Sequence, residues 1–554
     1  MIEAATPPFI PAPKRYRKTG SPFYAAVLEL HGDPAFLPQL RALRDEVEGA
    51  FGATVLAPGS SREEFAYFEK NREEGSELWG GNFRTASAPL LSVSVKKIVS
   101  GAVVGSVEGD ELCFQAGSYT LRCAPSGIEL AALTAEGAAA GAATLLQLLH
   151  FGWEGWRFRL ASCEIEDYPA MEWRGMMIDS SRHFFSIPAL KRILSVAWLY
   201  KINRFHWHLT DDQGWRVELL NTPEATESGA TRPGQDPNRN GFYRQTEIRD
   251  LVAFASERGI TVVPELDLPG HVQAVLEGNP ELACVRGPQR VRTEWGISEE
   301  VLCLGNEGSI QFALTAWDEV CELFPGPYVH IGGDECPTTR WEHCPKCAAK
   351  KKELNLKDWV DLQGYFMQTL TEHLERKGKT VFAWDEVMDT AVPNSANVVH
   401  WRQWLPDQGT RALAEGRNVV RSPFSPYYFD FVQTDDRTLS PGLAYKVPQA
   451  STLRRVYEFD PLEGLLGTGG DGGGRFLGIQ GNAWSEYIRD PRRLEYMLFP
   501  RLLALMETAW NGRKRPPFEV FLETLKRGHG GSGGASDGTG VIFAHLGINA
   551  GPLP

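Results

Sequence analysis

Apolar residues in this chain fall into two successive patterns. From Leu90 to Leu133 they form short runs separated by turn residues: LLSVSVKKIV, ELCFQ, SYTLRCA and GIELAAL. Such runs predict strands, read here as antiparallel. GAAAGAATLLQLLHF follows, with Leu145, Leu146, Leu148 and Leu149 on an apolar stripe, and predicts a helix. Strands closed by a helix predict a small α+β domain ending near Arg159.

After Tyr168-Pro169 the pattern changes. Eight short apolar runs recur, each ending in polar or aromatic residues: WRGMMIDS, RFHWHLTD, GITVVPELD, YVHIGGDE, KTVFAWDE, NVVHWR, NVVRSPFS and FLGIQGNAWSE. Between most of them lie helical patterns, beginning near Ile187, Glu247, Ser309 and Asp361. Eight strand-then-helix units over this length predict an α/β fold of the (β/α)8 TIM-barrel type, with a doubly wound sheet as the alternative. The barrel is preferred because all eight strand ends carry candidate functional groups, as expected around one mouth.

The flanks read differently. Residues 1–20 are rich in Pro and basic residues and are expected to form a loose arm. Ser60 to Arg84 reads as an exposed excursion, and GHGGSGGASDGTG as a flexible linker before a last segment, VIFAHLGINAGPLP, placed to pack back on the barrel. The expected organisation is therefore an arm over 1–20, an α+β domain over 21–165, a barrel over 166–515 and a C-terminal segment over 516–554.

Composition narrows the function. The chain has 554 residues and a formal net charge of -13, which argues against a nucleic-acid partner, since phosphate binding needs clustered Lys and Arg. No run is long enough for a membrane span or a signal-peptide core, so a membrane partner is not expected and the chain as given reads as cytoplasmic. There are 16 Trp, a surplus that suits flat-ring pockets as well as ordinary cores.

The strand ends carry the chemistry. They supply Arg174 and Asp179; His206, His208, Asp211 and Asp212; Glu265, Asp267 and then His271; and Asp334 and Glu335. Later ends supply Trp384, Asp385, Trp401, Tyr427, Tyr428, Asp430, Trp484 and Glu486. An acidic, aromatic mouth with one Arg suits a neutral polyhydroxylated ring. Asp334 and Glu335 are adjacent, so they share a pocket only where the strand ends and the backbone turns at Gly332 and Gly333. His206 and His208 have the spacing of a metal pair, which keeps a metal-dependent hydrolase as a minor alternative. Asp211 and Asp212 are not separable by sequence, because one of them is placed to cap the next helix.

The ordered motifs DYPAMEWRGMMIDSSRHF, HWHLTDDQGWR, VVPELDLPGH, HIGGDE, the Trp384 and Trp401 strands, YYFD and WSE resemble glycoside hydrolase family 20, the β-N-acetylhexosaminidases. The resemblance covers residues 165–510, and the preceding segment looks like that family's non-catalytic domain. It implies an oligosaccharide or glycoconjugate substrate, no cofactor and no catalytic metal. It also implies substrate-assisted catalysis, in which the substrate's own 2-acetamido oxygen attacks the anomeric carbon. Glu335 would then be the general acid and base. Asp334 would steer the acetamido N–H, and Tyr428 would hydrogen-bond the acetamido oxygen. Trp384, Trp401 and Trp484 would wall the acetamido group and ring. Arg174, Asp430 and Glu486 would hold hydroxyls, and Asp211 with His271 would tune Glu335. A catalytically silent sugar-binding protein on the same barrel is the competing reading.

The nine Cys are mostly scattered, which suits reduced thiols. Cys303, Cys336, Cys344 and Cys347 are the candidates for a structural zinc, for disulfides, or for free thiols.

Overall fold

The computed structural model describes residues 7–53, 55–56, 90–98, 115–232, 234, 240–434, 450–465, 473–529 and 541–554. The excursion expected over 60–84, most of ELCFQ and nearly all of the Gly-rich linker lie outside the described residues.

Eight parallel strands close into a barrel in chain order: Trp173–Asp179, Arg204–His208, Thr261–Glu265, Tyr328–His330, Thr380–Trp384, Asn397–His400, Val419–Arg421 and Phe476–Ala483. Each of the eight apolar runs supplies one strand. Closure comes from the pairing of Trp173–Asp179 with both Arg204–His208 and Phe476–Ala483. Helices such as Ile187–Leu199, Gln245–Glu257, Glu307–Leu323 and Val360–Arg376 surround it. Ile187–Leu199 shows why they form. Pro188 sits in its first turn, and Ile187, Leu190, Ile193, Leu194 and Ala197 make one buried stripe at helical spacing.

Before the barrel stands a seven-stranded sheet, and here one expectation is corrected. The sheet is mixed rather than antiparallel: Leu90–Lys97 runs parallel to both Val27–Gly32 and Gly127–Ala132, while Tyr119–Ala124 is antiparallel to Gly127–Ala132. Leu90–Lys97 is a central strand, flanked on both sides, and its apolar residues Leu91, Val93 and Val95 are buried.

The arm expected over 1–20 is not loose from Pro7 onward. Phe9 and Ile10 are buried, and Arg15–Lys18 adds an edge strand to Cys163–Asp167. That last strand runs across the domain limit expected at 165. Helix Ala135–Gly152, almost wholly buried, fills the seam between sheet and barrel. Its Ala139 carbonyl accepts from Trp198 Nε1 at 2.9 Å, and Gln147 Nε2 donates to the Leu199 carbonyl at 2.7 Å. The C-terminal helix Val541–Leu546 buries Ile542 and Phe543, and Phe543 meets the Phe499 ring edge-on.

Candidate active site

A cavity of about 210 Å3 opens at the C-terminal mouth of the barrel. Its walls carry Asp334, Glu335, Trp401, Tyr428, Asp430 and Glu486, with Trp484, His271 and Arg182 among the other lining residues. They come from the ends of different strands, which is how a barrel gathers distant sequence into one site.

The acid pair depends on its backbone. Strand Tyr328–His330 ends two residues before Gly332 and Gly333, which have φ of 67° and 96°, and Glu335 itself has φ 47°. A Cβ at Gly332 would lie 1.9 Å from Asp267 Oδ1, so only glycine allows this approach. Gly333 N–H donates to the same oxygen at 3.0 Å, anchoring the turn to the third strand's loop. The turn brings both carboxyls to one side. The Asp334 side chain is 13% exposed and the Glu335 side chain 38%, so the first is sheltered and the second faces the opening.

Beneath the pair runs a charged relay. His271 Nε2 is 3.7 Å from Glu335 Oε2 and 3.9 Å from Asp334 Oδ2. Its Nδ1 is 3.2 Å from Asp211 Oδ1. Asp211 Oδ2 in turn meets Arg182 at 2.7 Å and His208 Nε2 at 3.1 Å. Asp212 shares His271 Nδ1, with its Oδ2 3.4 Å from that nitrogen, while its Oδ1 accepts from Gln273 N–H at 3.1 Å, at the start of the short helix Gln273–Gly278. Glu265 is the hub of the layer below. It faces His206 at 2.8 Å, His208 at 2.7 Å and His330 at 3.0 Å, and accepts from Trp384 Nε1 at 2.8 Å. His208 therefore has a carboxylate at each ring nitrogen, which makes it a link in the relay.

Burial and charge shift these groups in opposite directions. Burial opposes ionisation of Asp211, yet Arg182 and His271 overcome it and hold the carboxyl well below the usual range. Burial disfavours the His271 cation, but Asp211 outweighs it and raises that imidazole well above its ordinary value. Burial, with Asp267 and Glu335 close by, pushes Asp334 well above the ordinary carboxyl range. Burial and the neighbouring Glu265 push Asp267 up to about 7.

Three of the acids that line the cavity each keep one carboxyl oxygen unmet. Asp334 Oδ1, Asp430 Oδ1 and Glu486 Oε2 are buried without a hydrogen-bond partner among the described residues. Buried acceptors of this kind suit ligand N–H and O–H groups. The aromatic walls are set by packing: Trp401 stacks on Tyr428 with centroids 6.1 Å apart and planes at 19°, and donates from Nε1 to Glu386 at 3.0 Å.

Of the residues expected in the site, Glu335, Asp334, Tyr428, His271, Trp401, Asp430, Trp484 and Glu486 line the cavity, and Asp211 lies directly behind His271. Two depart from expectation. Arg174 is at the opposite end of the barrel. It is the second residue of its strand, and its guanidinium is spent on Glu136 at 2.9 Å and on the carbonyls of Lys201 and Met171. Arg182 takes its place, paired with Asp179 at 3.2 Å and packed over the Trp484 ring. The signal was present, because DSSR follows the strand's C-terminal end whereas Arg174 precedes it. Trp384 also recedes: it is 1% exposed, behind Trp484, and holds Glu265 rather than lining the cavity. Trp295, from the long loop after the third strand, is a lining residue that no sequence pattern singled out.

Comparison with known proteins agrees with this architecture. Residues 171–513 match the model of the glycosyl hydrolase family 20 catalytic domain, and residues 6–168 match that of the same family's domain 2. The chain belongs to glycosyl hydrolase family 20. It is 37% identical over 457 residues to a β-hexosaminidase from Porphyromonas gingivalis, covering 81% of this chain and 58% of that one. A β-hexosaminidase from Vibrio furnissii is 35% identical over 407 residues, covering 70% and 64%. The chain thus spans about three fifths of the length of these two relatives. Among solved structures, the family 20 exo-β-N-acetylglucosaminidase of Vibrio harveyi in complex with N-acetylglucosamine superposes with a TM-score of 0.78 at 27% identity, covering 99% of this chain and 79% of that one. A variant of Streptomyces plicatus β-hexosaminidase in complex with GlcNAc as product gives 0.74 at 26%, covering 98% and 97%.

Proposed function

We propose that this chain is a retaining exo-β-N-acetylhexosaminidase that removes terminal non-reducing GlcNAc or GalNAc by substrate-assisted catalysis. The observation that carries the reading is the pairing of a sheltered acid with an open one on a single wall. A conventional retaining glycosidase sets its nucleophile across the bond from the acid, about 5–5.5 Å away. Asp334, whose buried Oδ1 is unmet, lines the same cavity as Trp401, Tyr428 and Trp484, which supports its accepting an amide N–H there. That contact aims the acetamido carbonyl at the anomeric carbon, and Asp334 then stabilises the oxazolinium cation. The Tyr428 hydroxyl holds the acetamido oxygen.

Glu335, at the opening, protonates the leaving oxygen and later takes a proton from water. His271, held by Asp211, stands 3.7 Å from the Glu335 carboxyl and positions it for both steps. Asp430 and Glu486, both pushed up by burial, grip hydroxyls at the closed end.

The test is kinetic, with aryl N-acetylglucosaminides. Glu335→Gln should lower kcat/KM about 10^2–10^4-fold for poor leaving groups and far less for activated ones. Asp334→Asn should lower kcat about 10^2-fold or more with every leaving group. Full activity in either variant would refute the role assigned to it.

A further inference from the structure

We propose that Cys284, Cys303, Cys344 and Cys347 bind one structural zinc ion, which staples the loop after the third barrel strand to the loop after the fourth. All four Sγ atoms lie within 4.8 Å of one another. Three contacts join the four sulfurs, Cys284 to Cys347, Cys303 to Cys344 and Cys303 to Cys347, each 3.7 Å long. Four thiolates about 2.3 Å from a central zinc form a tetrahedron with edges of about 3.8 Å. Disulfide pairing would instead draw sulfurs together in twos at about 2.0 Å.

The surroundings are built for thiolates. Cys344 and Cys347 form a C-x2-C pair at the start of helix Pro345–Glu353, whose N-terminus favours negative sulfur. Gly305 N–H donates to Cys347 Sγ at 3.4 Å. A Cβ at Gly305 would lie 2.1 Å from the Lys346 carbonyl carbon, so this approach needs glycine. Cys284 and Cys303 are brought together by a bridge between Ala283 and Leu302, with Cys303 N–H donating to the Leu282 carbonyl at 2.8 Å. Cys303, Cys344 and Cys347 are buried, and Cys284 is partly exposed, which leaves a route for the ion. A set of four sulfurs selects zinc over magnesium, calcium or manganese.

This replaces one member of the set expected from sequence. Cys336 stands apart, packed against Gly270, and Cys284, 19 residues before Cys303, takes its place. The staple has a consequence for the cavity. One stapled loop carries Trp295, Gly296 and Ile297, and the other carries Asp334 and Glu335. Zinc would fix the distance between them without touching substrate.

The test is elemental analysis of the full chain, expressed with zinc in the medium and purified without chelator. About one zinc per chain is expected, retained in Cys336→Ser and lost in the Cys344→Ser, Cys347→Ser double variant. Should the double variant fail to fold, titration of the wild type with an organomercurial should release about one zinc per four thiols modified. Folded protein without zinc, iron in place of zinc, disulfides among these cysteines, or zinc retained by the double variant would each overturn the proposal.

Discussion

Arg174 and Arg182 lie on and just beyond one strand, and the fold sends them to opposite ends of the barrel. The physical reason is direction: side chains near a strand's N-terminus face the bottom of a barrel, and those past its C-terminus face the mouth. Motif content made an arginine at the site legible, but position along the strand decided which one. The two therefore predict different losses. Arg182→Lys forfeits a planar fork that meets Asp179 and Asp211 together, and should lower kcat/KM about 10-fold or more. Arg174→Lys should lower the melting temperature and leave KM unchanged. Paired steady-state kinetics and thermal melts check both, and a raised KM in the second variant alone would reverse the assignment. Trp384 lies deeper than the other two tryptophans of the set, clustered with Trp401, Tyr428 and Trp484. A tryptophan at a strand end reads as a wall in sequence, and only the depth of Glu265 reveals that its indole N–H is already engaged.

At the scale of elements, the barrel strands were the most legible part. Each is a short apolar run with a polar end, and the parallel arrangement follows from the helices between them. The small domain was harder to read. Strand runs reveal that strands exist, but partners and directions depend on connections, and the parallel neighbours of Leu90–Lys97 lie far along the chain. The loop elements beneath the acid pair give a pH prediction. The Asp267 carboxyl is held at about 7 in the fold, against about 3.9 in an unfolded chain. A raised carboxyl contributes stability that is full below the unfolded value and is lost as pH climbs to the folded one. Asp267→Asn keeps the shape of the protonated acid without its titration. Its melting temperature relative to wild type should therefore rise between about pH 4 and 7. A constant difference across that window would contradict the shift.

At the scale of the whole molecule, the two domains share a polar seam. Arg174 with Glu136, and Lys201 with Asp167 at 2.8 Å, pair across it, and Tyr119 donates to Asp167 at 2.7 Å. Breaking a buried pair by removing one partner costs about 3–5 kcal/mol, because the other charge is left uncompensated. Glu136→Ala should therefore lower the melting temperature by several degrees while kcat stays within about twofold, since the seam is at the end of the barrel remote from the cavity. A large fall in kcat in folded protein would mean that the small domain acts on the site.

In the proposed mechanism the substrate supplies its own nucleophile, held by Asp334. The most direct measurement compares aryl β-glycosides that differ only at C2, with acetamido on one and hydroxyl on the other. Attack by a tethered group carries a large proximity advantage that the hydroxyl sugar cannot draw on. kcat/KM for the 2-hydroxyl glycoside should fall by at least about 10^3-fold. Rates within about tenfold of each other would contradict it and would require a nucleophile from the protein.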